Sequence, residues 1–251
     1  SSDGKTPEQQ LQLVREFVAP MIKDQTKCFG DLKTELHKAG IHLLRWEDLK
    51  DKERDYVKEY YAKNVFPVLT PLSVDPGHPF PFISNLSTSL GIALKHPNSD
   101  EKLFARVKVP RVLPQWIRVE SGKEDRLISL MEVMKHSVGG LFPDMQVLQV
   151  MPFRITRNAD SDSDQEDTED LLQMIEEELR QRRFAEVVRM EIGAQSDEWM
   201  LEFLRQELNL TREDIYEIPA EFELMDLGGI VDLPKAHLKY EPYNAVIPQA
   251  L

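Results

Sequence analysis

The first apolar positions of the chain recur three and four residues apart, as on one face of a helix. They are Leu11, Val14, Val18, Met21, Ile22, Phe29, Leu32 and Leu36. Thr6, Pro7 and Gln9 suit the N-cap, first and third positions of a helix, and Gly40 suits its end. Pro20 predicts a kink or a break. One amphipathic helix cannot bury its own stripe, so we expect helical partners from a second chain or from missing sequence.

After Gly40 the pattern changes to short apolar or alternating runs, rich in Val and Ile, that are typical of strands. These predicted strands lie at 41–44, 86–94, 103–109, 116–119, 146–156 and 186–192. Predicted helices lie at 46–64, 129–138, 165–183 and 196–208. Such irregular mixing favours an α+β domain with a mainly antiparallel sheet. We therefore expect a helical segment at 1–40, as part of a helical bundle, and an α+β domain at 41–251 that ends in an extended linker from 234.

The segment 68–87 is rich in proline and holds one histidine, His78. A catalytic histidine needs an orienting carboxylate, which Asp75 offers. Prolines 79 and 81 force the residues before them towards extended conformations, and we favour the alternative of a rigid structural turn. An extended backbone predicts that Phe80 and Phe82 point to one side and are buried, either in the domain core or in a contact with another subunit or domain. The other histidines form no His-x-x-x-His metal spacing.

Composition narrows the class of protein. With 41% apolar and 30% charged residues the chain is expected to be globular, and its net charge of −13 argues against a nucleic-acid partner. A single cysteine, Cys28, excludes an internal disulfide and gives no sign of secretion. No apolar run is long enough for a membrane span. We expect a cytoplasmic protein, with peripheral membrane association of a longer parent left open.

Two charged regions stand out against this average. Residues 158–169 imitate a calcium loop, but Ser163 stands where the sharp turn needs glycine. A solvated entry to the following helix is the better interpretation, so calcium should not change thermal stability. Residues 102–118 contain five basic and no acidic residues. Four of these are candidates for an anion path, against the alternative of a solvated sheet face. They are Arg106, Lys108, Arg111 and Arg118.

Longer motifs carry a resemblance. The stretch "FPVLTPLSVDPGHPFPFISNLS", followed by "FRITRNADSD", "EDTEDLLQMIEEELRQRRFAEVVRMEI" and "DEWMLEFLRQELNLTREDIYEIP", resembles bacterial-type, histidine-dependent polyphosphate kinase. The resemblance covers essentially the whole chain. It implies a parent enzyme that polymerises the terminal phosphate of ATP with Mg²⁺, through a phosphohistidine. The chain resembles the end of the helical N-terminal domain and nearly all of the α+β head domain.

The resemblance also implies what this chain contributes. The nucleotide-contacting motif, the phosphohistidine and the magnesium ligands are expected in other domains, so no catalytic residue is assigned here. The head-domain motif positions are Asp75, Pro76, His78, Pro79, Phe80, Phe82 and Asn85. The resemblance implies the catalytic domains and a second copy as partners, with no ATP or Mg²⁺ bound to this chain. The alternative is an independent module that binds polyphosphate or a protein.

Overall fold

The computed structural model describes residues 4–74, 80–98, 100–119, 124–158, 185–194, 196–219 and 223–241. Its helices are α1 (Pro7–Lys38), α2 (Asp51–Tyr60), α3 (Leu130–Ser137), α4 (Glu198–Glu207) and α5 (Gly228–Val231). Its strands are β1 (Ile41–Leu44), β2 (Pro71–Val74), β3 (Ser89–Lys95), β4 (Lys102–Lys108), β5 (Trp116–Val119), β6 (Asp125–Ser129), β7 (Gln146–Arg157), β8 (Val187–Gly193) and β9 (Ile215–Ile218). None of the described helices combines the length and apolar composition needed to cross a bilayer.

Helix α1 begins where the sequence predicts. The Gln9 backbone N–H donates to Thr6 Oγ1 at 3.3 Å, and the Gln9 side chain accepts from the Thr6 N–H at 3.0 Å. This reciprocal pair satisfies donors that a helix start leaves open. Gly40 follows the end of α1 with φ of 76°, a left-handed conformation that suits glycine. The predicted break at Pro20 is wrong, because α1 continues through that residue.

The two ends of α1 have different surroundings. Near its C-terminus, Phe29 and Leu36 pack on a small core formed by Ile41, Leu43, Leu127 and Ile230. Near its N-terminus, the predicted stripe lies on the surface: Phe17 is 73% exposed, and Leu11, Val14 and Met21 are more than half exposed. The need of this stripe for helical partners stays a prediction.

Two sheets follow α1. The smaller has the order β1-β6-β5, with β1 and β6 parallel and β5 and β6 antiparallel. The larger has the order β2-β4-β3-β7-β8-β9, and its strand pairs are antiparallel except for the parallel pair β8–β9. The predicted α+β class with a mainly antiparallel sheet is confirmed.

The larger sheet is covered on both faces. Alternate residues of β3, such as Leu90, Ile92 and Leu94, pack in one core with α2, α3 and the smaller sheet. Ala93 points to the opposite face, which packs on α4 in a second core. The period of two along a strand produces this division, because successive side chains point to opposite faces.

The predicted strands agree closely with the observed ones in their bounds. The strands at 41–44 and 116–119 match to the residue, and the other four predicted strands differ by at most three residues at either end. Three short strands escaped prediction: β2, β6 and β9. The predicted helix 46–64 divides into a turn at Trp46–Asp48, α2 and a wider turn at Tyr61–Val65. The predicted helix 165–183 lies outside the described residues.

The predicted linker is partly folded. Ala236–Leu238 forms a short helical turn, and Lys235 Nζ lies 2.7 Å from Asp125 Oδ2. The ion pair anchors this part of the chain to the start of β6, so 234–241 is not a free extended segment. Residues 242–251 lie outside the described residues.

Candidate functional site

Residues 80–87 lie against the larger sheet, where Arg106 and Arg157 hold their backbone; we call these two residues the arginine clamp. Arg106, in the interior of β4, is 5% exposed. Its Nε donates to Ser89 Oγ at 3.0 Å and its Nη1 to the Phe82 carbonyl at 3.1 Å. Burial lowers the pKa of Arg106, because a charged guanidinium loses hydration. Its donors are directed at neutral protein acceptors.

Arg157, at the end of β7, is the second half of the clamp. Its Nε and Nη2 donate to the Ile83 carbonyl at 3.1 and 2.9 Å, and its backbone N–H donates to Asn85 Oδ1 at 2.9 Å. Its guanidinium carbon lies 4.7 Å from the centroid of the Phe82 ring, a cation–π distance. Asn85, a motif residue from the sequence, therefore fixes the end of the segment to the sheet.

The two phenylalanines of the segment have different environments. Phe80 is half-buried and packs near Phe104 and Phe203, with ring centroids 6.2 and 6.0 Å away. Phe82 is 40% exposed, while Ile83 is 1% exposed. Phe82 therefore does not enter the domain core beside Phe80, since the segment is not a strand and does not alternate regularly. Its burial in a contact with another subunit or domain stays a prediction. Asp75, Pro76, His78 and Pro79 lie outside the described residues.

The four basic candidates for an anion path have different surroundings. Arg106 belongs to the clamp, whereas Lys108 is exposed at the end of β4. Arg111 Nη1 lies 2.6 Å from Asp226 Oδ1, and Arg118 Nη2 lies 2.6 Å from Asp125 Oδ1. Of the four, Arg111 alone lines a cavity of about 10 Å³, room for one water at most. The anion path stays a prediction that rests on three exposed cations, two of them paired with aspartates.

A second buried ionic group was not predicted from the sequence; we call it the carboxylate network. In it Arg154, on β7, lies 2.6 Å from Glu191 and 2.8 Å from Glu223, and Arg189 lies 2.7 Å from Glu191. Burial alone lowers the pKa of Arg154, but the two carboxylates outweigh burial and raise it. Arg154 and Glu191 are cross-strand partners in the β7–β8 register, so a strand alignment would have predicted this pair.

A cleft of about 820 Å³ opens between α1, α3 and β7. Thr26, Phe29 and Lys33 line it from α1, and residues 147–150 line it from β7. The wall formed by α3 and the region of the turn Trp46–Asp48 carries charged and imidazole side chains. These are Arg45, Glu47, Glu132, Lys135 and His136.

Together these features describe an α+β domain whose buried and half-buried arginines bind partners within the domain. The family model described as the polyphosphate kinase middle domain matches residues 52–230. The chain therefore belongs to the polyphosphate kinase family, a family of transferases, and corresponds to its middle domain. The predicted family membership is confirmed.

Individual relatives agree with this assignment. The polyphosphate kinase of Synechocystis sp. is 41% identical over 265 residues, and the alignment covers 100% of this chain and 36% of that protein. The polyphosphate kinase of Aphanizomenon baltica is 40% identical over 262 residues, and the alignment covers 100% of this chain and 68% of that protein. The crystal structure of the polyphosphate kinase from Porphyromonas gingivalis has a TM-score of 0.72 at 17% identity and covers 95% of this chain and 35% of that one. This likeness shows the fold, and the chain spans about a third of the Synechocystis and Porphyromonas proteins.

Proposed function

We propose that this chain is the middle, architectural part of a polyphosphate kinase that transfers the terminal phosphate of ATP to polyphosphate. The match of residues 52–230 to the family's middle domain carries this proposal. In it, the catalytic domains of the same protein are the partners, the assembly is a homodimer and the location is cytoplasmic. The exposed stripe of α1 supports contacts with further helices. Packing such helices on Phe17 and its neighbours would remove their apolar surface from water, which is favourable.

The described residues do not fit a site for ATP and Mg²⁺ at the basic positions. Such a site needs cations that converge on phosphates and carboxylates that face the metal. Arg106 is instead buried in the clamp, while Arg111 and Arg118 pair with separate aspartates. In the proposal, nucleotide and Mg²⁺ bind to the catalytic domains, and this chain positions those domains.

Activity of the 251-residue chain tests the proposal. We expect no labelled polymer and no phosphohistidine when the chain is incubated with radiolabelled ATP, Mg²⁺ and polyphosphate, while a full-length relative produces both. A stable label on the chain that is lost in His78→Ala, and kept in the matched control His96→Ala, would overturn the architectural role.

A second candidate function is an independent polyphosphate-binding module. The observation that favours it is the exposure of Lys108, Arg111 and Arg118 at the surface. Binding of a polyanion to such cations weakens steeply with salt. A salt-sensitive affinity for polyphosphate that falls in Lys108→Ala and Arg118→Ala, but not in Lys63→Ala on the distant turn 61–65, would favour the module over the architectural role. No binding at low salt would exclude it.

A further inference from the structure

One wall of the cleft brings together three side chains that ligate metals. Helix α3 places Glu132 and His136 four residues apart, on one helix face, and the turn Trp46–Asp48 adds Glu47. His136 Nε2 lies 3.3 Å from Glu132 Oε1 and 3.9 Å from Glu47 Oε1. The three ligand atoms all lie within 4.8 Å of one another.

Neighbouring groups hold two of these ligands in place. The Trp46 ring stacks on the His136 ring, with centroids 5.0 Å apart and an interplanar angle of 8°. The Trp46 backbone N–H donates to Glu132 Oε1 at 3.3 Å, and Lys135 Nζ lies 3.1 Å from Glu132 Oε2. Contacts of this kind orient metal ligands in proteins, where outer hydrogen bonds fix carboxylate and imidazole positions.

Glu47 completes the group from the turn Trp46–Asp48. Its side chain is exposed, so it can rotate towards the same point as Glu132 and His136.

We propose that Glu47, Glu132 and His136 form a zinc-binding site on the wall of the cleft. Zinc bonds of about 2.0–2.2 Å in a tetrahedron separate neighbouring ligand atoms by about 3.4 Å, and the observed separations from His136 Nε2 are 3.3 and 3.9 Å. An imidazole with two carboxylates suits Zn²⁺ better than Mg²⁺, which prefers oxygen ligands alone. The fourth position faces the cleft and takes water or a ligand that enters it.

Bound zinc would join the turn Trp46–Asp48 to α3 on the wall of the cleft. This role goes beyond the proposed function and is distinct from the Mg²⁺ chemistry assigned to the catalytic domains.

Calorimetric titration of the metal-free, 251-residue chain with Zn²⁺ at neutral pH tests the site. We expect one zinc equivalent that does not depend on His42, and its affinity should fall at least about ten-fold in Glu132→Gln and in His136→Ala. The matched control is His42→Gln, because the Nδ1 atoms of His37 and His42 lie 2.8 Å apart and zinc bound to them would add a separate equivalent. That control should leave the proposed equivalent unchanged.

A second readout locates the ion. Trp46 stacks on His136, so Co²⁺ in the site should quench the emission of Trp46, and this quenching should be lost in Trp46→Phe and in His136→Ala. Circular dichroism establishes that each variant is folded before titration. Isotherms that are the same for the parent, Glu132→Gln and His136→Ala would overturn the proposal, as would a parent chain that takes up no zinc beyond the His42-dependent equivalent.

Discussion

The arginine clamp and the carboxylate network lie on the same sheet, but their arginines have different partners. Arg106 is surrounded by neutral acceptors, and burial lowers its pKa. Arg154 lies between two carboxylates, which raise its pKa in spite of burial. The clamp therefore orders a segment of backbone, whereas the network joins β7, β8 and the residue Glu223 through charge. This difference predicts that replacing Arg106 and replacing Arg154 will reduce the free energy of unfolding by different amounts.

The largest effect is expected for Arg154→Met. This change removes the cation that Glu191 and Glu223 share; Glu191 keeps Arg189, whereas Glu223 loses its ion pair. Breaking a buried ion pair costs about 3–5 kcal/mol. Urea denaturation measures the loss of stability. Adding Glu223→Gln to the same variant should restore part of the stability, because a neutral amide is cheaper to bury than a charge. If Arg154→Met unfolds at the parent midpoint, the network does not stabilise the fold.

A smaller loss is expected for Arg106→Met, which leaves only neutral groups unsatisfied. Ser89 Oγ and the Phe82 carbonyl each lose a donor, at a cost of about 1–3 kcal/mol. Lys108→Met, two residues along the same strand and exposed, is the control and should change stability by less than about 0.5 kcal/mol. Limited proteolysis should cut the Arg106→Met variant near residues 80–87 sooner than the parent. Equal losses for Arg106→Met and Arg154→Met would remove the distinction between the two regions.

A third arginine, Arg126, forms an ion pair whose contribution to stability should depend on pH. Arg126 donates to both oxygens of Glu53, at 2.7 and 3.0 Å. Burial raises the pKa of Glu53, but Arg126 and the Lys50 N–H outweigh burial, so the folded-state pKa lies below the ordinary value of a glutamate. The stabilisation is thus present above that value and is lost as the pH falls through the folded pKa.

Glu53→Gln should therefore cost about 1–2 kcal/mol at neutral pH, and the difference from the parent should shrink on acidification. Denaturant melts at several pH values measure this difference, with Asp55→Asn on the exposed face of the same helix as the control. A stability difference that stays constant down to strongly acidic pH would show that the charge of Glu53 is not the cause.

The smallest effect is expected for Phe82→Ala. Its ring is partly exposed and lies under Arg157, and an exposed cation–π contact contributes about 0.5–1 kcal/mol. Ile83→Ala, one residue further along and fully buried, should cost about 2–5 kcal/mol. Thermal melts of the two variants compare them directly. A loss in Phe82→Ala that equals the loss in Ile83→Ala would mean that Phe82 is buried in solution, for example in a contact with another domain.

Sequence reasoning succeeded for features that depend on neighbours along the chain. The cap at Thr6, the end of α1 near Gly40 and the alternating strands follow from local periodicity, and the structure contains them. The strands β2 and β9 have four residues each, as β1 and β5 do, so length alone does not explain why they were missed. They form because the sheet supplies backbone partners, which are distant in sequence.

The candidate site was harder to predict for the same reason. Arg106 and Lys108 are two residues apart and therefore share one face of β4. Residues 80–87 cover Arg106 but leave Lys108 exposed, and no local sequence pattern indicates this difference. A search for paired histidines also passed over Glu132 and His136, whose four-residue spacing lies within a correctly predicted helix. Glu47 joins them through the fold and not through sequence distance.

The two outer strands of the larger sheet have a consequence for solubility during folding. Edge strands offer unpaired backbone groups to other chains, and this leads to aggregation. Here β2 begins with Pro71, which has no N–H to donate. On the opposite edge, Arg15 from α1 donates to the carbonyls of Glu213 and Ile215, next to and within β9. A foreign strand therefore meets a short edge on one side and an occupied one on the other, so β-type fibre growth from this sheet should be slow.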